Sequence, residues 1–298
     1  MVGHEMRHLH PEFSYPDRRE LDLESEDSVK QFLSKTQFDV AIHLAARVGG
    51  VVDNTRHVAD FFSTNMSINR NFLEHCQKAG VKKVVSVLST CVYPDAPFVK
   101  YPLTENQLHL GPPHISNFGY AFAKRMLDVQ SRSLRSQYGC NFVTVIPNNL
   151  YGVNDNFDLQ SGHVIPSMIR RFYEAKISGA DEVICWGSGR PEREFTYSRD
   201  AASIIVWAAD HYDDPEPVNI GDVKSITIKH LAESIASEVG FTGKIIWDNS
   251  KPDGQLMKPS SNKKLIDHGW KRSYTPLESG LRETIEWFKS TFPNVRGA

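Results

Sequence analysis

Residues 81–91, VKKVVSVLSTC, and residues 120–124, YAFAK, decide the fold of this chain. The apolar run 84–88 predicts a buried strand with Ser89 at its carboxyl end, and the second segment lies on a helix predicted from about 117 to 138. Because side chains at i and i+4 of a helix point the same way, the Lys124 ammonium can lie beneath the Tyr120 phenol and favour its ionised form. With Ser89 they would form a proton-transfer centre for a carbonyl, although the Tyr-x-x-x-Lys spacing alone is common on helices.

Apolar segments on both sides of this stretch extend the pattern. Strands are predicted at Phe38–Ala46 and Phe142–Ile146, and a long amphipathic helix at Val58–Ala79. Strands that alternate with helices are typical of an α/β fold with a Rossmann-like, doubly wound parallel sheet. After about residue 160 the alternation loosens, so we expect a smaller α/β lobe that is interleaved with the first.

The composition argues against several classes of protein. The 298 residues carry 34 Lys and Arg against 36 Asp and Glu with no basic run, so we expect neither nucleic acid nor a membrane as partner. No apolar stretch approaches the roughly 18 residues of a membrane span. His4, His8 and His10 lack acidic or Cys partners, and we expect no metal site. The four cysteines are widely scattered, without the paired spacing of a zinc site or a disulfide framework: Cys76, Cys91, Cys140 and Cys185. We therefore expect a reducing compartment and a soluble, cytoplasmic protein.

The order of strand, Ser89, loop and Tyr-x-x-x-Lys helix resembles the extended short-chain dehydrogenase/reductase family. Within it, the chain resembles the GDP-L-fucose synthase family, which are NADPH-dependent epimerase-reductases that convert GDP-4-keto-6-deoxy-D-mannose to GDP-L-fucose. The resemblance covers essentially the whole chain. It rests on these motifs: HLAARVGG (43–50), LSTCVYP (88–94), YAFAK (120–124), NNLYG (148–152), DNF (155–157), HVIP (163–166) and WGSG (186–189).

The resemblance implies a role for each of five catalytic residues. Cys91 would be the base and His163 the acid that exchange the protons at C3 and C5, beside the C4 ketone. Tyr120 would then protonate the C4 oxygen during reduction, with Ser89 hydrogen-bonded to that oxygen and Lys124 on the nicotinamide ribose. On local grounds Cys91 could instead be a small buried residue at a strand end, and His163 an ordinary helix-start residue.

The resemblance also implies binding residues for NADP(H) and for the sugar nucleotide. Arg18 would pair with the 2′-phosphate, although a solvated basic pair with Arg19 is the simpler local interpretation. The cofactor set is Gly3, Arg18, Asp22, Leu23, Ala45, Ala46, Val87, Leu88, Ser89, Thr90, Lys124, Pro147, Asn148, Asn149, Leu150 and His163. The substrate set is Asn149, Arg171, Trp186 and Arg193, with the arginines on negative or polar groups.

The domain division follows from these assignments. We expect residues 1–160 to form the dinucleotide-binding domain and residues 161–298 to form mainly the substrate-binding lobe, with some segments returning to the first domain. The two long helices, near 58–79 and 117–138, could form the contact of a homodimer, although core packing also explains their apolar stripes.

The N terminus departs from the family pattern. The match begins inside the Gly-rich turn, at Met1-Val2-Gly3, so we expect a chain truncated before its first strand, either biologically or as an incomplete gene model. That strand is central in the order 3-2-1-4-5-6, so its loss should leave a slot between neighbouring strands and most of the pyrophosphate cradle missing. Phe13–Tyr15 is at best a short strand.

Two other functions remain open from the sequence. One is another NAD(P)-dependent sugar-nucleotide epimerase or reductase, such as a 4-epimerase that holds NAD tightly; Arg18, Cys91 and His163 argue against it. The other is a non-catalytic protein that binds a sugar nucleotide or pairs with a full-length homologue, and the missing glycines favour it.

Overall fold

The computed structural model describes residues 1–251 and 253–298. The helices are α1 (Val2–Leu9), α2 (Glu26–Lys35), α3 (Val51–Arg56), α4 (Val58–Lys78), α5 (Phe118–Tyr138), α6 (Val164–Ser178), α7 (Ser198–His211), α8 (Ile228–Val239), α9 (Lys263–Asp267) and α10 (Leu277–Thr291). The strands are β1 (Val40–His43), β2 (Lys83–Val87), β3 (Asn141–Pro147), β4 (Asn149–Tyr151), β5 (Glu182–Trp186), β6 (Glu192–Tyr197), β7 (Val218–Ile220), β8 (Ser225–Thr227) and β9 (Lys244–Asp248).

A parallel sheet with the order β1-β2-β3-β7 forms the first lobe. Alternate residues of a strand face opposite sides of a sheet, so each side of this sheet carries its own core. On one side, Val84 and Phe142 pack with Leu73 of α4 and Leu127 of α5. On the other, Val85, Val143 and Val145 pack with Ile204 and Ile205 of α7 and with Met6 of α1. Helices on both faces confirm the predicted Rossmann-like α/β fold.

The second lobe has a separate core made by α6, α8 and α10 against two small sheets. One sheet has the order β4-β6-β8, with β4 and β6 parallel and β8 antiparallel, and the other pairs β5 with β9. The lobes are interleaved as predicted, because β4 follows β3 almost directly and β7 returns to the first sheet. None of the described helices combines the length and the apolar character that crossing a bilayer requires.

The N-terminal segment differs from the sequence prediction. Residues 2–9 form a helix that packs on α7, whereas the prediction had no helix there. The short strand predicted at Phe13–Tyr15 is wrong, because these residues pair with no other strand of the described chain. Side chains bond to carbonyl groups there instead: the Tyr15 hydroxyl donates to His10 O at 2.9 Å, and Arg7 Nη2 donates to Tyr15 O at 3.3 Å.

Within the described residues the expected slot is present as a cavity of ≈ 1250 Å³ beside β1, against the N-terminal segment, and not between two strands. There β1 is the edge strand of the sheet, with Val40 45% exposed, and residues 10–25 lie beyond it as turns. Asp17 stabilises one of these turns, because its carboxylate accepts hydrogen bonds from the backbone N–H groups of Arg19 and Glu20.

Candidate active site

Tyr120 lies in the first turn of α5, against the carboxyl end of β2. An added Cβ on Gly119 would collide with Val58 O, so this glycine lets the first turn of α5 approach the start of α4 closely. The Tyr120 ring meets Phe61 edge-on, with the ring centroids 6.4 Å apart. Burial raises the pKa of Tyr120, the nearby Cys91 adds to this, and a side-chain hydrogen bond with Ser89 acts in the opposite direction. Tyr120, Ser89 and Cys91 therefore share one pocket.

Lys124 lies one helical turn further along α5 and is buried. Its Nζ donates to Val87 O at 2.7 Å, at the last residue of β2. Burial lowers the pKa of Lys124 to about 8. Lys124 is not among the groups that shift the pKa of Tyr120, so the expected lowering of the phenol pKa is not observed; burial dominates and keeps the phenol protonated.

Cys91 lies in a short 3-10 turn, Thr90–Val92, directly after β2. Its backbone N–H donates to Ser89 Oγ at 3.3 Å, which fixes the start of the turn. Two cations, Lys258 and Arg193, lie near the thiol. Burial lowers the pKa of Lys258 and of Arg193, and the charge of Cys91 raises both.

Lys258 was not predicted from the sequence as a site residue. The residue follows a loop without helical or strand periodicity, so no pattern marked it. A long-range contact brings it to the pocket: Leu103 N donates to Pro259 O at 2.8 Å, and Ser261 N donates back to Leu103 O at 2.9 Å. The one signal in the sequence was a basic residue between Met257 and Pro259, which is not distinctive.

His163 precedes α6 and is exposed. Gly50 N donates to Ser161 O at 2.9 Å, so the loop that ends at His163 contacts the loop after β1. Asp155 lies near the imidazole: burial raises the pKa of Asp155, and His163 lowers it. Among the described residues, no hydrogen bond or ion pair joins His163 to Tyr120 or Cys91. The structure therefore brings Ser89, Cys91, Tyr120 and Lys124 together, and His163 lies at the start of α6 near Asp155.

A cavity of ≈ 1250 Å³ opens beside β1, between the turns of the N-terminal segment and the sheet. Six of the predicted cofactor residues line it: Gly3, Arg18, Asp22, Leu23, Ala45 and Ala46. The small side chains of Ala45 and Ala46 leave space at the carboxyl end of the strand, and Arg18 provides the cation that a 2′-phosphate requires. The residues present therefore fit a phosphorylated dinucleotide.

Arg18 is paired with acidic neighbours in this structure. Its Nη2 lies 2.8 Å from Glu24 Oε1 and its Nε lies 3.7 Å from Asp22 Oδ1, and the side chain is 75% exposed. The adjacent Arg19 points elsewhere and pairs with Asp17. Of the two arginines, only Arg18 is among the residues that line the cavity.

The other predicted cofactor residues cluster along one edge of the sheet rather than in that cavity. Residues 87–90 end β2 and residues 147–150 follow β3, and the carboxyl ends of parallel strands meet at the same edge. The Asn148 side chain is already used there: its Oδ1 accepts from Thr196 Oγ1 at 2.7 Å and its Nδ2 donates to Asp222 O at 2.7 Å. Asn148 thus joins the two lobes, and its backbone N–H also donates, to Ile220 O at 3.4 Å.

The predicted substrate residues lie in the second lobe. Trp186 ends β5 and is 56% exposed, with Arg171 6.0 Å from its ring centroid and Lys251 5.9 Å from it. The sequence analysis missed Lys251. Asn149 Nδ2 donates to Glu194 O at 2.9 Å, next to Arg193. An exposed indole between two cations is suited to stacking on a flat, electron-rich ligand.

The N-terminal histidines interact with their neighbours. His4 and His8 form a hydrogen bond between their Nε2 atoms at 3.0 Å, and His10 lies 3.0 Å from Glu12. Within residues 1–251 and 253–298, no group of three or more His, Cys, Asp or Glu side chains is arranged to hold a metal ion.

Comparisons with known proteins agree on one family. The model of the NAD dependent epimerase/dehydratase family matches residues 4–221. A GDP-L-fucose synthase of Dictyostelium discoideum is 42% identical over 92% of this chain and 86% of its own length. The GDP-L-fucose synthase of Escherichia coli (strain K12) is 37% identical over 94% and 89%. A crystal structure of a GDP-L-fucose synthetase from Naegleria fowleri bound to NADP superimposes with a TM-score of 0.92, 38% identity and coverage of 99% of this chain and 91% of that one.

Proposed function

The chain belongs to the NAD dependent epimerase/dehydratase family, and we propose that it catalyses the GDP-L-fucose synthase reaction. This reaction is the NADPH-dependent 3,5-epimerisation and 4-reduction of GDP-4-keto-6-deoxy-D-mannose to GDP-L-fucose. The observation that carries the proposal is the shared pocket of Ser89, Cys91 and Tyr120, with Lys124 beside it at the carboxyl end of β2. A thiol in the same pocket as a tyrosine suits an enzyme that moves protons on carbon before it reduces a ketone.

The two inversions need a base and an acid. Cys91 removes the protons at C3 and C5, which the C4 ketone acidifies, with Lys258 and Arg193 nearby. His163 returns protons from the other side of the ring, with Asp155 nearby. Ser89 donates a hydrogen bond to the C4 oxygen, where charge develops in the enolate.

The reduction needs a proton on the C4 oxygen. Tyr120 donates this proton, since burial keeps its phenol protonated at neutral pH. NADPH supplies the hydride when bound, with its 2′-phosphate on Arg18 and its adenosine along Asp22, Leu23, Ala45 and Ala46. The edge at residues 87–90 and 147–150 orients the nicotinamide end, and Lys124 holds its ribose.

The sugar nucleotide is anchored in the second lobe. Arg193 and Lys258 pair with its diphosphate, since both lie beside Cys91 in a partly desolvated pocket where such pairs are strong. Trp186 stacks on the base. Arg171 and Lys251 are the two cations that lie near its ring. Asn149 hydrogen-bonds to the sugar. This division makes residues 1–160 the cofactor domain and residues 161–298 mainly the substrate lobe.

The reaction is tested with purified chain, NADPH and GDP-4-keto-6-deoxy-D-mannose in deuterated water. We expect oxidation of NADPH, and a GDP-L-fucose product that carries solvent deuterium at C3 and C5. Oxidation of NADPH without deuterium at these carbons would exclude the epimerase half and leave a simple 4-reductase. Neither signal, at saturating NADPH, would exclude the reaction for this chain.

We also propose that two copies pair through α4 and α5 and that the protein acts in the cytoplasm. The two helices pack side by side and leave apolar side chains exposed, including Phe62 of α4 and Val129 of α5. A homodimer would bury them. Sedimentation analysis of a Phe62→Glu, Val129→Glu variant tests the contact: the variant should be monomeric, and a dimer of unchanged strength would exclude this face.

A further inference from the structure

A buried arginine lies directly behind the turn that carries Cys91. Arg125 follows Lys124 on α5 and is 4% exposed. Its Nε donates to Val92 O at 2.6 Å and its Nη1 donates to Gly111 O at 2.7 Å, while the guanidinium lies 5.3 Å from the centroid of the Phe122 ring. The same helix therefore presents Tyr120 and Lys124 to the pocket and holds the neighbouring turn with its next residue.

Arg125 has no acidic partner. No carboxylate of the described chain lies within ion-pair distance of it, and its Nη2 is buried without a hydrogen-bond partner in the same residues. Burial lowers the pKa of Arg125 to about 10, so it remains a cation at neutral pH. A buried cation without a carboxylate partner is costly, and proteins rarely keep one on packing grounds alone.

Other arginines of α5 show what a purely structural role looks like. Arg132 pairs with the Asp128 carboxylate at 3.0 Å. Arg135 donates to Asn141 Oδ1 at 2.7 Å and to Asp213 O at 2.5 Å. Both fasten α5 to its surroundings at partly exposed positions, far along the helix from Tyr120. Arg125 alone among these three contacts the segment that holds Cys91.

The acceptors of Arg125 explain what it does. Val92 O belongs to the residue directly after Cys91, and Ser89 Oγ accepts the Cys91 N–H on the other side, so the turn is fixed at both ends. Gly111 O belongs to a second loop, which pairs with the residues after the turn through the Pro94–Pro113 bridge. A planar guanidinium can hold both carbonyls at once, whereas an ammonium is a point donor.

We propose that Arg125 is a positioning residue for Cys91. It fixes the turn Thr90–Val92 against the loop at Gly111, so that the thiol stays in the pocket with Tyr120. The inference rests on the proposed function for the role of Cys91 as the base, but the placement of the thiol can be measured without substrate.

The experiment compares Arg125→Ala with Arg132→Ala, a matched arginine two turns further along α5. We measure the incorporation of solvent deuterium at C3 and C5 and the KM for the sugar nucleotide. For Arg125→Ala we expect exchange to fall by about 10²-fold, the loss that a displacement near 1 Å can cause. The KM should change less than about twofold, because the proposed anchors Arg193 and Lys258 remain. Added guanidinium ion should restore part of the exchange, and Arg132→Ala should match the parent protein in every measurement.

A second measurement keeps the proposal separate from the reaction. In a Cys140→Ser background, where Cys76 and Cys185 are buried, iodoacetamide reports on Cys91, with Cys91→Ser as the blank. Alkylation should slow in Arg125→Ala and recover with guanidinium. If the parent chain shows no exchange at all, the proposed function fails, and the alkylation result still decides the role of Arg125.

Three results would overturn the proposal. The first is unchanged deuterium exchange and alkylation in Arg125→Ala. The second is a loss of exchange that guanidinium does not restore. The third is a loss of exchange accompanied by an equal rise in the KM for the sugar nucleotide. Should Arg125→Ala not fold, Arg125→Lys decides in its place: it keeps the charge but cannot hold both carbonyls, so exchange must fall with the KM unchanged, and normal exchange would refute the positioning role.

Discussion

The pocket around Tyr120 and the cavity beside β1 are built in opposite ways. In the pocket, the chain's own backbone holds the reacting groups: Lys124 donates to Val87 O, and Ser89 Oγ accepts the Cys91 N–H. In the cavity, Arg18 is 75% exposed and pairs with Glu24, which is 39% exposed. The proton-transfer groups are thus positioned by the fold itself, whereas the cofactor site consists of surface side chains whose present partners a ligand can replace.

The largest effect should come from the pocket. Tyr120→Phe removes the proposed proton donor, and we expect the rate of NADPH oxidation to fall by about 10²- to 10⁴-fold, the usual contribution of a general acid. Deuterium exchange at C3 and C5 should continue, because Cys91 and His163 are intact. The two rates are measured on the same sample in deuterated water.

Tyr138→Phe is the matched control, since Tyr138 lies at the other end of α5 and its hydroxyl only accepts from Gln137 Nε2. Both rates should equal those of the parent chain. If Tyr120→Phe stopped exchange and reduction equally, Tyr120 would act in the epimerisation as well, and the separation of roles between Tyr120 and Cys91 would be wrong.

The second effect is on stability and concerns His43, behind the pocket. His43 Nε2 donates to Asn69 Oδ1 at 3.1 Å, and Asn69 Nδ2 donates to Ala123 O, next to Lys124. Burial, and then the charge of Lys124, lowers the pKa of His43 to about 3 from its ordinary 6.5. Between pH 6.5 and about pH 3 the unfolded chain binds one proton more than the folded chain. The contribution of His43 to the free energy of unfolding should therefore be constant above pH 6.5 and fall as the pH drops below 6.5.

Urea unfolding of the parent chain and of His43→Gln gives the size of this effect. Between pH 7.5 and pH 5, the parent chain should lose about 2 kcal/mol more than the variant. The comparison uses the change with pH, so a constant loss from the substitution itself cancels. His230→Gln, on the exposed face of α8, should leave the pH dependence as in the parent chain. Equal slopes for the parent chain and His43→Gln would contradict the buried, neutral imidazole.

The same contrast explains what the sequence could predict. Ser89, Tyr120 and Lys124 follow from local patterns, because strand periodicity places Ser89 at a strand end and the i, i+4 rule places Lys124 under Tyr120. Lys258 and the partners of Arg125 could not be predicted, because contacts between distant segments bring them to the pocket. Helix α1 was missed for a related reason: its stability comes from packing Met6 on α7 rather than from a recognisable pattern.

The third prediction concerns the cavity and is smaller. Arg18→Gln removes the cation proposed for the 2′-phosphate, and we expect the KM for NADPH to rise by about 10-fold, as the loss of one charge-assisted hydrogen bond implies. The KM for NADH, which lacks this phosphate, should not change. Arg19→Gln is the control, because Arg19 pairs with Asp17 and does not line the cavity. An equal rise for both cofactors would mean that Arg18 acts on another part of the dinucleotide.

The smallest effect follows from the ion pair that Arg18 makes in the structure. Glu24 accepts from Arg18 Nη2 at 2.8 Å, so a 2′-phosphate must compete with this carboxylate for the guanidinium. Exposed ion pairs contribute at most about 1 kcal/mol, so Glu24→Gln should change the free energy of unfolding by less than about 0.5 kcal/mol. The same substitution frees Arg18 and should lower the Kd for NADP⁺, measured by calorimetry, by about two- to threefold. A Kd that rises would show that Glu24 holds Arg18 in the orientation for binding, and the exposed cavity would then be as preorganised as the pocket around Tyr120.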